Sequence, residues 1–400
     1  MKKRYSLPLH LTGAAVARTG DEMSGPALML AGFALTGSAA EASLLLAGVT
    51  VSAVLGGPVL GSFLDRARRP GRLLAVALAL YTAGLTAVLM GLGRLPFGLT
   101  LALAVLTGLL GPALSGGWTA QLPAVVGADR LARANALDAM TFSAAGLAGP
   151  VLAGGVAEVL GAPTAVVVST VLIALALPAA WTLPVRIDPV PGTPVPGGPV
   201  TSLTADLAAG TRAVAGRPAL ARATLTSVVS CAAQGMSTAC LPLLGERVLG
   251  GPGHGAMLLS CTAASALAAH AVLARFPRAV APDTLLWAGA LVQAVASASA
   301  ASGHPFVLVA AALVAGIGEG PQLTGLFAVR HREAPEHLRS QVFTTGASLK
   351  ITGFALGAAV AGPVASGSLP GALLLAAGTA ALAALAFFAV PAPGGRTVSE

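Results

Sequence analysis

Long apolar segments, separated by short polar gaps, occupy most of this 400-residue chain. A helix that crosses a membrane needs about 20 mostly apolar residues, because each residue rises about 1.5 Å through a hydrocarbon core of about 30 Å. Twelve segments meet this requirement, so the pattern predicts an all-α membrane protein with twelve transmembrane helices. The predicted spans are 9–35, 42–64, 73–93, 97–118, 134–160, 163–183, 219–244, 255–275, 283–303, 305–329, 341–366 and 370–391.

The composition excludes a water-soluble globular protein. Hydrophobic residues make up 55% of the chain and charged residues only 10%, whereas a soluble domain has about 25% charged residues. The net charge of +8 does not indicate nucleic-acid binding, since the basic residues stand in the short gaps between apolar segments. The three cysteines lie in apolar segments without paired spacing, so we expect no disulfide, no metal site and no cofactor.

The positions of lysine and arginine predict the orientation in the membrane. With the N-terminus in the cytoplasm, 19 of these 23 residues fall on the cytoplasmic side, and only Arg94 and Arg247 fall on the opposite side. Cytoplasmic loops carry the excess of basic residues in multi-pass proteins. We therefore expect a multi-pass protein of the cytoplasmic membrane with both termini in the cytoplasm.

The chain divides into two similar halves around a polar linker. We expect an N-terminal six-helix bundle over 1–183, a cytoplasmic linker with a short amphipathic helix over 184–218, and a C-terminal six-helix bundle over 219–400. Small-residue features repeat between the halves at nearly one offset: Gly149 matches Gly357 at an offset of 208 residues. An arrangement of two similar halves is typical of membrane transporters.

The gap between spans two and three carries a recognisable motif. It runs from Gly61 through Asp65 and Arg66 into a basic cluster that ends at Arg72. This motif resembles the signature loop of the major facilitator superfamily, although Arg68 stands where the family usually has a glycine. The resemblance implies that Asp65 meets the N-terminal end of span eleven, near Arg339, when the transporter is closed to the cytoplasm. The alternative is that Asp65 only neutralises Arg66.

Span five carries a second motif, built on Ala145, Gly149, Pro150 and Gly154. It resembles the span-five motif of the superfamily's drug/proton antiporters, with alanine at two positions where that motif usually has glycine. A stripe of small residues also lets a neighbouring helix approach closely, and span eleven has a similar stripe at Gly353 and Gly357. An antiport function and simple helix packing each explain why small residues occur at these positions.

Several charged residues lie within predicted spans. A charge at the bilayer centre costs about 2.5–3.5 kcal/mol, so each one is a candidate site. Arg18, Asp21 and Glu22 are spaced to share one face of span one, which leaves a surplus carboxylate for proton binding or forms a self-satisfied polar patch. The other candidates are Glu319, Lys350 and Asp138; Lys350 is either a proton carrier or a counter-ion of Asp21 or Glu319, and Asp138 is close enough to Arg133 to pair with it.

These features predict a proton-coupled secondary transporter that exports small amphipathic compounds by alternating access. Gln234, Gln293 and Gln322 can bond either substrate or neighbouring helices, and Gln234 and Gln322 are the candidate substrate contacts. An uptake permease of the same superfamily is the alternative. A lipid-processing enzyme would need a phosphate- or metal-binding set such as a pair of aspartates, which the chain lacks, so we expect that the protein is not an enzyme. The expected partners are a small-molecule substrate, protons and the lipid bilayer, with no nucleic acid, and we expect a monomer.

Overall fold

A computed structural model describes residues 6–185, 203–250 and 254–390, and every regular element in these ranges is helical. The basic N-terminal residues 2–4, most of the predicted tether (186–202) and Arg396 lie outside the described residues. The α-helices are α1 (Leu7–Thr36), α2 (Ala39–Arg66), α3 (Pro70–Gly91), α4 (Phe97–Gly108), α5 (Gly116–Thr119), α6 (Leu122–Val125), α7 (Ala128–Leu160), α8 (Ala162–Leu175), α9 (Leu177–Trp181), α10 (Leu203–Gly216), α11 (Pro218–Val248), α12 (His254–Arg275), α13 (Pro282–Ala300), α14 (Pro305–Glu333), α15 (Arg339–Gly367) and α16 (Leu369–Ala389).

Ten helical segments of the described residues are long and apolar enough to cross a membrane. They coincide with ten of the predicted spans. The remaining two predicted spans also form helices, α1 of 30 residues and α13 of 19, but polar side chains lower their hydropathy. The predicted amphipathic segment of the linker forms α10, which confirms the helix but not its position on the membrane surface.

Span four is broken in its second half. After α4 the chain turns through a short 3₁₀ helix, Gly111–Ala113, before α5 begins at Gly116. Pro112 lacks the N–H group that a continuous helix would use, and the neighbouring glycines weaken helix formation further. Span six is divided similarly, into α8 and α9, next to Pro178. The break in span four places backbone carbonyl groups beside α1, where they serve the site described below.

The described residues form two compact units. The first unit contains those up to Leu207 together with Glu336–Ile351, and the second contains Ala208–Pro335 and the rest of the chain from Thr352. The first part of α15 therefore belongs to the first unit and its second part to the second unit. The bundle boundaries expected from the sequence stay a prediction.

In the first unit α1 packs against α7 along a stripe of small residues. Ala145, Gly149 and Ala153 are all buried on one face of α7. A Cβ atom at Gly149 would lie 2.6 Å from Cβ of Glu22 and 2.8 Å from the backbone nitrogen of Met23. Only glycine therefore allows this approach. Gly154 was expected to belong to the same packing motif, but it does not take part in this contact. It follows the buried Ala153, is itself exposed, and a Cβ atom there would meet nothing within 4 Å.

The second unit repeats this packing relation. A Cβ atom at Gly357 of α15 would collide with the carbonyl group of Ala232 in α11, and one at Gly353 would collide with the carbonyl oxygen of Val228. The stripe of span eleven thus packs on span seven, as the stripe of span five packs on span one. The repeat in the sequence corresponds to a repeated helix contact, one in each unit.

Candidate functional site

Arg18 is the centre of a buried polar cluster in the first unit. Its guanidinium nitrogen Nη1 lies 2.9 Å from Oδ1 of Asp138, and the side chains of Arg18 and Asp138 are 2% and 0% exposed. The guanidinium also donates to Thr119 Oγ1 at 2.9 Å, to the hydroxyl of Thr141 and to the carbonyl oxygen of Leu114. Thr119 in turn donates to Oδ2 of Asp138 at 2.7 Å. Both charges are therefore satisfied inside the helix bundle.

This cluster corrects two expectations about ion pairing. Arg18 pairs with Asp138, which lies 120 residues away, and not with its helix neighbours Asp21 and Glu22. Asp138 accordingly pairs with Arg18 and not with Arg133. The physical reason is the number of donors: a buried guanidinium needs several acceptors, and α7 together with the broken span four supplies a carboxylate, two hydroxyls and backbone carbonyls.

Asp21 and Glu22 face other surroundings. The carboxylate of Asp21 accepts a hydrogen bond of 2.7 Å from the hydroxyl of Tyr81 in α3, and Tyr81 is 1% exposed. Glu22 is exposed at the surface of the first unit, beside Gly149 of α7. Neither carboxylate forms an ion pair with another described residue of the first unit. The middle of α1 therefore carries two carboxylates that none of the described cations of this unit neutralises.

Asp65 contacts the N-terminal end of α15. Its Oδ1 accepts from the backbone N–H of Ser340, and its Oδ2 accepts from that of Gln341, both at 2.8 Å. The first N–H groups of a helix have no partner within the helix and carry the positive end of its dipole, so they favour a carboxylate. Asp65 itself is only 4% exposed. This is the contact that the resemblance implies, with both residues in the first unit.

The other residues of the motif surround this contact. A Cβ atom at Gly61 would collide with Cα of Gln341, so glycine lets α2 approach α15 closely. Arg339 forms an ion pair of 3.7 Å with Glu336 just before α15, and Arg66 is partly buried next to Asp65. Arg72 lies away from the contact, with its guanidinium carbon 5.1 Å from the ring centre of Trp181.

The two remaining charged candidates belong to different units. Lys350 is partly buried on α15 in the first unit, and no ion pair joins it to Asp21 among the described residues there. This removes one of its two expected counter-ions. Glu319 is partly buried on α14 in the second unit, where it lines a cavity.

The candidate glutamines form a hydrogen-bonded relay in the second unit. Nε2 of Gln234 donates to Oε1 of Gln293, and Nε2 of Gln293 donates to Oε1 of Gln322, both at 2.9 Å. Nε2 of Gln322 donates to Oγ of Ser230 and to the carbonyl oxygen of Leu286. The relay therefore connects α11, α13 and α14. Gln234 and Gln322 were expected to bond either substrate or neighbouring helices, and the bonds found here join neighbouring helices, with Gln293 between the two residues.

Sequence reasoning missed three residues of the first-unit site: Tyr81, Thr119 and Thr141. Tyr81 is one of only two tyrosines in the chain and lies in the middle of an apolar span. A tyrosine hydroxyl buried in a membrane needs an acceptor, so its position was a usable signal. Threonines are common in transmembrane helices, where their hydroxyls bond to backbone carbonyls of the same helix. Thr119 and Thr141 therefore gave no signal in the sequence.

Known proteins resemble this chain along nearly its whole length. The chain is 28% identical over 403 aligned residues to the uncharacterized MFS-type transporter y4rN of Sinorhizobium fredii (strain NBRC 101917 / NGR234), covering 95% of this chain and 94% of that protein. Among solved structures it resembles the human organic anion transporter MFSD10 (TETRAN), with a TM-score of 0.75, 15% identity and coverage of 97% and 100% of the two chains.

Two further solved structures share the fold. The Escherichia coli fucose:proton symporter FucP has a TM-score of 0.72 at 16% identity, covering 98% of this chain and 100% of that one. A bacterial homologue of the iron transporter ferroportin has a TM-score of 0.75 at 15% identity, covering 96% and 98%. At such identities the likeness concerns the fold. The profile of the Major Facilitator Superfamily matches residues 11–343, most of the chain, and the protein therefore belongs to this superfamily of membrane transporters.

Proposed function

We propose that this protein is a proton-coupled exporter of small amphipathic compounds, working by alternating access. It would act as a monomer in the cytoplasmic membrane, with twelve spans in two pseudo-symmetric six-helix bundles and both termini in the cytoplasm. One observation carries the proposal: Arg18 is neutralised by Asp138, while Asp21 and Glu22, in the middle of α1, have no cationic partner among the described residues of their unit. Carboxylates in this position are typical of proton relays in membrane transporters.

The packing of α7 supports coupling between these carboxylates and helix movement. Gly149 brings α7 against the backbone of Glu22 and Met23, so the antiporter-like stripe contacts the part of α1 that carries the carboxylates. A proton bound there changes the charge at this helix contact. Protonation of a carboxylate at this contact would therefore change the packing of α1 on α7, which a proton-coupled transporter requires.

Alternating access also needs contacts that break and re-form. We propose this role for the contact between Asp65 and the start of α15, because its strength depends on charge. A hydrogen bond to a charged group contributes about 1.5–3 kcal/mol, which is small enough to be broken in each cycle.

The Asp65→Asn variant tests the gating role. An asparagine oxygen can accept one of the two N–H bonds but has no charge, so we expect the contact to weaken by about 1–3 kcal/mol. The measurement is maleimide labelling of Ser340→Cys, whose position is fully buried, in a chain with Cys231, Cys240 and Cys261 replaced by alanine. Labelling should accelerate about tenfold, which corresponds to about 1.4 kcal/mol.

Asp129 provides the matched control, since it also lies at a helix N-terminus but its side chain is 75% exposed. The Asp129→Asn variant should label at the wild-type rate. An unchanged labelling rate in Asp65→Asn would contradict the gating role, but not the hydrogen bonds of Asp65 to Ser340 and Gln341.

Transport in vesicles tests the proposed function itself. Inside-out membrane vesicles are loaded at acid pH, a panel of amphipathic compounds is added, and the pH gradient is followed with a fluorescent dye. For an exporter that exchanges protons, a substrate should accumulate inside and collapse the gradient faster than in vesicles that lack the protein. Accumulation only when the proton and the compound move in the same direction would establish the uptake permease instead and overturn the proposal.

A further inference from the structure

The second unit contains a partly open cavity of about 120 Å³ lined by residues of α11, α12, α13 and α14 and by Leu373 of α16. A cavity must offer about 10–15 Å³ to hold a single water molecule, so this one has room for several of them, or for one small organic molecule. Its lining combines an apolar wall of leucine and alanine side chains with a polar strip of amides and hydroxyls. Glu319 is the one ionisable residue among those that line it.

Helical spacing explains how two helices build the polar strip. On α11, Gln234, Ser237 and Thr238 follow one face at intervals of three and four residues, and on α13 Gln293 and Ser297 do the same. The hydroxyl oxygens of Ser237 and Ser297 lie 3.1 Å apart across the two helices. The strip is therefore a continuous surface of polar groups and not a set of isolated side chains.

The glutamine relay has a fixed direction. The carbonyl oxygen of Leu286 can only accept, so the group of Gln322 that bonds to it at 3.0 Å must be the NH₂ group. The Oε1 of Gln322 must then accept from Gln293, and the Oε1 of Gln293 from Gln234. The relay consequently ends on Oε1 of Gln234, a hydrogen-bond acceptor on a residue that lines the cavity.

We propose that this cavity binds a small organic cation with an ammonium group and an apolar body. The carboxylate of Glu319 supplies the negative charge, the terminal oxygen of the glutamine relay and the serine hydroxyls supply further acceptors, and the leucine side chains contact the hydrocarbon part. The inference rests on the proposed function in one respect: the bound cation is the compound that the protein transports. An anionic ligand would place a second negative charge beside the carboxylate of Glu319, and a neutral ligand can offer it only the weaker hydrogen bond of an uncharged donor.

The test is equilibrium binding to the full-length protein in lipid nanodiscs, without any ion gradient. Radiolabelled phenethylamine is the probe, and 2-phenylethanol and phenylacetate are the competitors with the same skeleton but neutral and negative polar groups. We expect saturable phenethylamine binding, at least tenfold weaker competition by the alcohol, and no competition by phenylacetate. No saturable binding, or equal binding of amine and alcohol, would overturn the proposal.

Variants locate the binding to this cavity. Glu319→Gln is nearly isosteric and should lower phenethylamine affinity at least tenfold while leaving the weak binding of the alcohol unchanged. Gln234→Leu removes the end of the relay and should lower amine affinity severalfold. Glu246→Gln is the matched control, because Glu246 is an exposed glutamate of the same unit outside the cavity. Amine binding that survives Glu319→Gln would overturn the proposal.

The binding experiment and the vesicle experiment fail independently. Selective amine binding without gradient-driven transport would refute proton-coupled export but would not contradict the cation site. The opposite outcome is gradient-driven transport and binding that do not prefer amines. It would refute the cation site but would not contradict proton-coupled export.

Discussion

Replacing Asp138 by leucine alone is expected to lower the free energy of unfolding by about 3–5 kcal/mol. The substitution would leave the guanidinium of Arg18 charged in a site where its side chain is only 2% exposed. The hydroxyls of Thr119 and Thr141 and the carbonyl of Leu114 would still bond to it, but no anion would balance it. Since whole domains are stable by about 5–15 kcal/mol, this loss should be visible as incomplete folding or a much lower midpoint of thermal unfolding.

The double variant Arg18→Met/Asp138→Leu separates the missing charge from the loss of packing. Replacing both partners of a buried pair by apolar residues is often neutral, so we expect it to regain most of the stability. The two threonines then have other acceptors, because Thr119 also bonds to the carbonyl of Ser115 and Thr141 to the carbonyl of residue 138. A double variant no more stable than Asp138→Leu would show that the ion pair is not the cause.

The exposed pair of Asp129 and Arg130 serves as the control. Its side chains are 75% and 71% exposed and 3.9 Å apart, and surface pairs contribute about 0–1 kcal/mol. Asp129→Leu should therefore change the unfolding midpoint little. Unfolding is best followed in one detergent for all variants, so that differences reflect the protein.

The positions of the helices could be predicted from the sequence because they depend on local properties. Length and hydropathy placed each predicted segment within a few residues of a helix; α1, for instance, runs over Leu7–Thr36 where 9–35 was expected. Breaks were harder to predict. Pro112 interrupts span four, whereas Pro321 lies inside α14, which continues through it. Whether a proline ends a helix depends on what packs around it, and that is not a local property.

The partners of the buried charges could not be predicted from spacing along one helix. Spacing suggested that Arg18 would bond to Asp21 or Glu22, which are three and four residues away. The structure pairs it with Asp138, because the packing of α1 on α7 offers more acceptors than the helix itself. Helix-internal pairs gain only about 0.2–0.5 kcal/mol, so a buried tertiary partner easily prevails.

The contact of Asp65 was expected from a family resemblance and only partly from physical chemistry. A carboxylate at the C-terminal end of a helix is unfavourable, which indicates that it has a partner elsewhere. The physical argument favours the N-terminus of some other helix but does not say which. The resemblance named the start of span eleven, and the bonds to Ser340 and Gln341 are found there.

The Asp21→Asn variant is expected to lose gradient-driven accumulation of substrate while keeping substrate exchange. A proton that moves down a pH difference of about 1.7 units releases about 2.3 kcal/mol, enough for about fifty-fold accumulation if one proton is exchanged for one organic cation per cycle. We assign coupling to Asp21 because protonation changes its bond with Tyr81: a neutral carboxyl group accepts more weakly, and the Tyr81 hydroxyl has Ser24 Oγ 3.4 Å away as another partner. A proton at Asp21 can therefore alter the contact between α1 and α3.

The measurement is accumulation of a transported compound in vesicles under an imposed gradient, compared with counterflow exchange in the same vesicles without one. Wild-type vesicles should approach fifty-fold accumulation at a pH difference of about 1.7 units, and Asp21→Asn should stay within about twofold of equilibrium while exchange continues. Glu22→Gln is the matched control, since Glu22 is the adjacent carboxylate and is exposed. If Glu22→Gln loses accumulation and Asp21→Asn keeps it, coupling belongs to Glu22 and the role given to the bond between Asp21 and Tyr81 is wrong.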